Sequence, residues 1–159
     1  MAKMKASNFN GDDYRKGALE RLSDAFILLR ADQFSGSAYA AGRAVEGMLR
    51  AIIWKRDEQV RKGEKSLDTG HDMRNLLNYV RNLGLLSDSR LRDVELDADV
   101  QHIARLWFNN MRYASSKFVD TKWHSLGEVR KGRTLKQATD SFYFACARVI
   151  KRCEVLCQR

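Results

Sequence analysis

Five stretches of this chain place apolar residues every three or four positions, a spacing that lines them along one side of an α-helix. The first stretch uses Tyr14, Ala18, Leu22, Ala25, Phe26 and Leu29, and the second Ala38, Ala41, Val45, Met48, Leu49, Ile52 and Ile53. The third carries Met73, Leu76, Leu77, Val80 and Leu83; the fourth carries Val100, Ile103, Trp107, Met111 and Ala114. The fifth runs through Leu135, Ala138, Phe142, Ala145, Cys146, Val149, Cys153 and Leu156. Not one of the 159 residues is proline, so no residue deprives a helix of its N–H or forces a kink. No alternating strand pattern, internal repeat or low-complexity tract competes with this reading. The prediction is an all-α antiparallel helical bundle of about five helices, a single domain over 1–159 with its core from about 12 to 157.

The residues between the stripes predict where the helices begin and end. Asp12 or Asp13 is placed to cap the first helix, and Ser35-Gly36-Ser37 reads as a short break that folds helices one and two into an antiparallel hairpin. The charged tract from Lys55 to Asp68 reads as a helix end and a loop. Thr69-Gly70-His71-Asp72 has the pattern of a capping box for the third helix, which should end near Gly84, and a short helical piece is possible through Leu91 and Val94. The fourth helix is expected from about Asp97 to Ser115, followed by a loop over 116–133. Thr134 to Gln137 supplies a second capping box for the fifth helix.

The formal net charge of +9 favours phosphate or another polyanion as partner, and residues 121–159 hold nine basic against three acidic side chains. No window resembles a membrane span or a signal core, so a soluble, cytoplasmic protein with no membrane partner is expected. Cys146, Cys153 and Cys157 share one helical stripe and read as reduced core residues. His71, His102 and His124 are scattered, without His or Cys at ligand spacing, so neither metal nor cofactor is expected. Glycine-rich nucleotide loops of the dinucleotide or P-loop kind are absent from the sequence.

The most informative segment runs from Arg105 to Tyr113. On a continuous helix Arg105, Asn109 and Arg112 stand at i, i+4 and i+7, which gathers two guanidinium forks and an amide on one face. Such a face suits phosphate oxygens, with Asn109 and Asn110 orienting them and Tyr113 stacking or donating its hydroxyl. It equally suits internal pairing of the arginines with carboxylates such as Glu46 or Asp72. Lys122 and Trp123, with Arg130, Lys131 and Arg133, combine positive charge and an aromatic ring as single-stranded nucleic-acid sites do; a solvated basic loop has the same composition. Gly42 and Gly47 read as points of close helix packing.

The run Ala38-Tyr39-Ala40-Ala41-Gly42-Arg43-Ala44-Val45-Glu46-Gly47-Met48-Leu49-Arg50-Ala51, the turn Gly70-His71-Asp72-Met73 with Leu76 and Leu77, and Met111-Arg112-Tyr113-Ala114 resemble HEPN domains in kind and order. The resemblance spans roughly 14–157 and implies an antiparallel helical bundle that forms homodimers and acts on RNA or nucleotides in toxin–antitoxin, defence or RNA-processing settings. Catalytic members carry an Arg followed after four to six residues by His, and cut RNA without a metal. Here Arg105 leads to Asn110, Met111 and Arg112, so the proton-transfer residue is missing. The expectation is therefore a non-catalytic RNA- or nucleotide-binding module using Arg105, Asn109, Asn110, Arg112, Tyr113, Lys122, Arg130, Lys131 and Arg133. One alternative is a metal-independent endoribonuclease in which His71 works with Arg105, although His71 reads as readily as an ordinary helix-start residue. Another is a protein-interaction partner, for example one half of a two-gene system.

Overall fold

The computed structural model describes residues 10–66, 72–83 and 98–157 in full and the backbone alone over 94–97. Among these residues it is all-α, with seven α-helices and one 3₁₀ turn where about five helices were expected. The helices are α1 (Gly11–Arg30), α2 (Phe34–Arg56), α3 (Glu58–Arg61), α4 (Met73–Asn82), α5 (Val94–Leu106), α6 (Ser116–Ser125) and α7 (Leu135–Cys157), with the 3₁₀ turn at Asn109–Tyr113. The five apolar stripes correspond to α1, α2, α4, α5 and α7.

Helix α1 is capped by Asn10 rather than by Asp12 or Asp13. The Asn10 side chain accepts from the backbone N–H of Asp12 and Asp13 at 2.8 and 3.1 Å, and Asp13 accepts in return from the Asn10 N–H at 2.9 Å. The hairpin turn falls at residues 31–33, with Asp32 at φ 57°, a left-handed position that aspartate tolerates. Ser35-Gly36-Ser37 is thus the first turn of α2 and not the break. The buried Ser37 hydroxyl donates to the Ala25 carbonyl of α1 at 2.8 Å. Of the first stripe, Phe26 turns outward and meets Tyr143 of α7 at a ring-centroid distance of 5.7 Å.

The Lys55–Asp68 tract holds the end of α2 and the single turn α3 as far as it is described; Leu67, Asp68, Thr69, Gly70 and His71 lie outside the described residues. Asp72 caps α4 by accepting from the Arg74 N–H at 2.8 Å, and α4 ends at Asn82; Gly84 and Leu91 also lie outside the described residues. The second capping box is present, with the Thr134 N–H donating to Gln137 Oε1 at 2.9 Å and the Gln137 N–H to Thr134 Oγ1 at 3.3 Å.

Buried residues from every helix form one connected core, with α2 at its centre, packed against α1 on one side and α7 on another. All three thiols lie in it, and burial pushes that of Cys153 up to about 12. Gly42 makes the closest approach: a Cβ there would sit 2.0 Å from Cδ1 of Trp107, so only glycine leaves room for that ring. Trp107 lies roughly parallel to Tyr39 and donates its indole N–H to the Tyr39 carbonyl at 3.3 Å.

This seating of Trp107 coincides with the largest departure from expectation. The helix predicted to reach Ser115 stops at Leu106, Phe108 is extended, and the chain resumes as the 3₁₀ turn. The expected loop over 116–133 is also corrected, because it contains the ten-residue helix α6, capped by the Ser115 hydroxyl accepting from the Phe118 N–H at 3.1 Å. Only residues 126–134 connect α6 to α7.

Candidate nucleic-acid interface

Helix α6 sorts its side chains by spacing. Val119 and Trp123, four residues apart, enter the core; Phe118 and Lys122, also four apart, face outward. Trp123 is 0% exposed, packs on Phe142 and donates its indole N–H to the Leu106 carbonyl at 3.3 Å, so it satisfies the C-terminal end of α5. Trp123 is therefore a core residue of a helix, and neither a ring in a basic binding surface nor an incidental ring on a solvated loop, the two readings its sequence context offered. The accessible aromatic is Phe118, 55% exposed, whose ring meets Phe108 edge-on at 6.2 Å.

Phe118 and Lys122 form one wall of an open groove of about 670 Å³. Its other walls come from the start of α4 with Asp72 and Arg74, the end of α5 with Arg105, and the segment after it with Asn109 and Asn110. Four of the residues singled out from sequence, Arg105, Asn109, Asn110 and Lys122, thus meet in one place. They do so through three chain segments and not along one helical face, since α5 ends between Arg105 and Asn109. Arg112 and Tyr113 do not line the groove; the Arg112 guanidinium lies 4.6 Å from the ring centre of Tyr113, which is 77% exposed. Asp72 contributes a carboxylate to the groove, but its oxygen is engaged by the α4 N-terminus.

Arg105 is held without being sealed. Its guanidinium donates to the Leu126 carbonyl at 2.8 Å and to Glu128, and its side chain remains 41% exposed. Two of the five donors of the fork are thereby committed, leaving others for a ligand. The carboxylate partner is Glu128, and neither of those considered from sequence: Glu46 is buried between Arg43 and Arg50 of its own helix, and Asp72 caps α4. Glu128, only 12% exposed in its side chain, also accepts from Arg133 at 3.3 Å and lies 3.7 Å from Nδ1 of His102.

His102 is half-buried beneath this cluster. Burial holds its pKa below the usual 6.5, Arg105 and Arg133 act in the same direction, and Glu128 and Asp99 oppose them. Its Nε2 is sealed from solvent without a hydrogen-bond partner in the described structure. Nδ1 faces Glu128, and His102 is not among the residues that line the groove.

Arg130, Lys131 and Arg133 form a tight turn in which Gly132 takes the left-handed position at φ 84° and residues 130 and 133 exchange backbone hydrogen bonds of 3.1 and 2.9 Å. A small concavity of about 420 Å³ lies against this turn, apart from the groove. Arg130 and Lys131 are exposed, whereas Arg133 is committed to Glu128. Sequence reading missed Arg74, Phe118 and Glu128. The signal for Phe118 was its i, i+4 relation to Lys122, legible only once 116–125 is known to be helical; the others depend on contacts between distant segments.

Among the described residues no three His, Cys, Asp or Glu side chains gather as metal ligands, and no helix is long and apolar enough to cross a membrane. No family model, curated protein or solved structure matches the chain.

Proposed function

We propose that this protein is a HEPN-like module that binds RNA or a nucleotide in the groove between α4, α5 and α6 without cleaving it efficiently. The observation that carries the reading is the meeting of Arg74, Arg105 and Lys122 around an accessible Phe118, with Asn109 and Asn110 beside them. The cations take phosphate oxygens, Phe118 takes a base face, and the two amides read polar base edges or sugar hydroxyls. Arg130 and Lys131 on the exposed turn add to the attracting field at longer range. For the homodimer implied by the resemblance, the exposed rings of Phe26 on α1 and Phe144 on α7, both in contact with Tyr143, are apolar groups that a second copy would bury. A toxin–antitoxin or defence setting is the context that the resemblance suggests.

Fluorescence anisotropy with a labelled single-stranded RNA tests the reading. Three phosphate contacts predict a slope of log K against log salt of about −2, and Arg105→Ala or Arg74→Ala should weaken binding about tenfold. Absent or salt-insensitive binding contradicts the reading. RNA cleavage in EDTA that is lost in Arg105→Ala would replace it with the endoribonuclease alternative.

A further inference from the structure

We infer that a second groove, between α4 and α5, continues the first as an additional phosphate subsite, so that the ligand is a single-stranded oligonucleotide rather than a free nucleotide. The inference rests on the function proposed above and specifies the substrate class of that site.

The polar residues lining the second cavity, about 500 Å³, are Arg74, Asn78 and Arg81 on the α4 side and Gln101, His102 and Arg105 on the α5 side. Arg74 and Arg105 line the first groove as well, so the two cavities meet at a pair of guanidinium groups. On α4 the three polar residues stand at i, i+4 and i+7, which places them on one face over about 10 Å of helix. Gln101 and Arg105 are four apart on α5 and share a face in the same way. Among the described residues no carboxylate lines this cavity.

A mononucleotide with its base on Phe118 and its phosphate at Arg105 fills the first groove only. A strand continuing past Arg105 enters a channel whose polar lining includes Gln101, Asn78 and Arg81, donors suited to a further phosphate and to sugar or base edges, with His102 beside them. Donors distributed along a groove in this way suit a chain of successive phosphates. The expected ligand therefore gains affinity with length until both grooves are filled.

The test compares a labelled RNA of roughly eight nucleotides with a labelled nucleoside monophosphate, on the parent chain, Arg81→Ala and Gln101→Glu. Arg81→Ala is expected to weaken oligonucleotide binding about tenfold and to leave monophosphate binding unchanged, whereas Gln101→Glu, one helical turn from Arg105, is expected to weaken oligonucleotide binding more than monophosphate binding. Arg81→Ala should also reduce the salt slope by about 0.7, the share of one phosphate on a single strand. Thermal melting checks folding, and Gln101→Glu, on an exposed side chain, carries the comparison if Arg81→Ala proves unstable. Equal affinity for the monophosphate and the oligonucleotide overturns the inference. So does oligonucleotide binding that ignores both variants yet falls in Arg105→Ala, a result that leaves the first groove standing. Insensitivity to Arg105→Ala as well removes the underlying reading too.

Discussion

Glu128 shows how one side chain sets the character of the surface around it. It neutralises part of two guanidinium groups and holds Arg105 against the Leu126 carbonyl, which fixes the fork while leaving donors exposed. The same carboxylate faces His102, whose folded pKa lies below 6.5 chiefly because the ring is buried. The unfolded chain takes up this proton at the ordinary pKa and the folded chain only at lower pH, so the unfolded state binds more protons between the two values. Stability associated with His102 is therefore fully present above about 6.5 and lost as the pH falls towards the folded value. Urea midpoints measured between about pH 7.5 and 5.5 should drop more for the parent than for His102→Gln; equal drops would deny His102 this role.

Helix α6 is where element-scale reading from sequence failed and then explains itself. Its core face consists of Val119 and Trp123 alone, too few positions to register as a stripe beside the longer patterns of α2 and α7. Read as loop, the segment drew attention to Trp123 and not to Phe118; as a helix, it buries Trp123 and leaves Phe118 exposed. Trp123→Ala should cost about 3–5 kcal/mol of stability by opening a core cavity, whereas Phe118→Ala should leave the melting temperature nearly unchanged and weaken RNA binding by about 1–3 kcal/mol. Calorimetry and anisotropy on the two variants separate these effects, and a binding loss confined to Trp123→Ala would contradict the assignment. The end of α5 teaches a related lesson. Trp107 and Met111 are both buried, as the stripe required, but spacing of four is met by a break and a 3₁₀ turn as well as by a continuous helix. Burial was legible there, and backbone continuity was not, because neither glycine nor proline marks the break.

For the whole molecule, the sequence carried the helical class, the five principal stripes and four of the groove residues. It did not carry the assembly of the groove, which brings the start of α4 to the end of α5 and the outer face of α6. Local charge counts drew attention to the C-terminal basic turn, while Arg74 and Arg81 come from a stretch with no conspicuous charge run and matter only because α4 packs beside α5. A net charge of +9 brings a polyanion to the surface; the groove decides where it rests. Ultraviolet cross-linking of a 4-thiouridine RNA to the intact protein, followed by peptide mass spectrometry, locates that resting place most directly. The principal adduct is expected on Phe118 or the peptide that contains it, lost in Phe118→Ala; adducts confined to the Arg130–Arg133 turn, with Phe118 unmodified, would contradict a ligand seated in the groove.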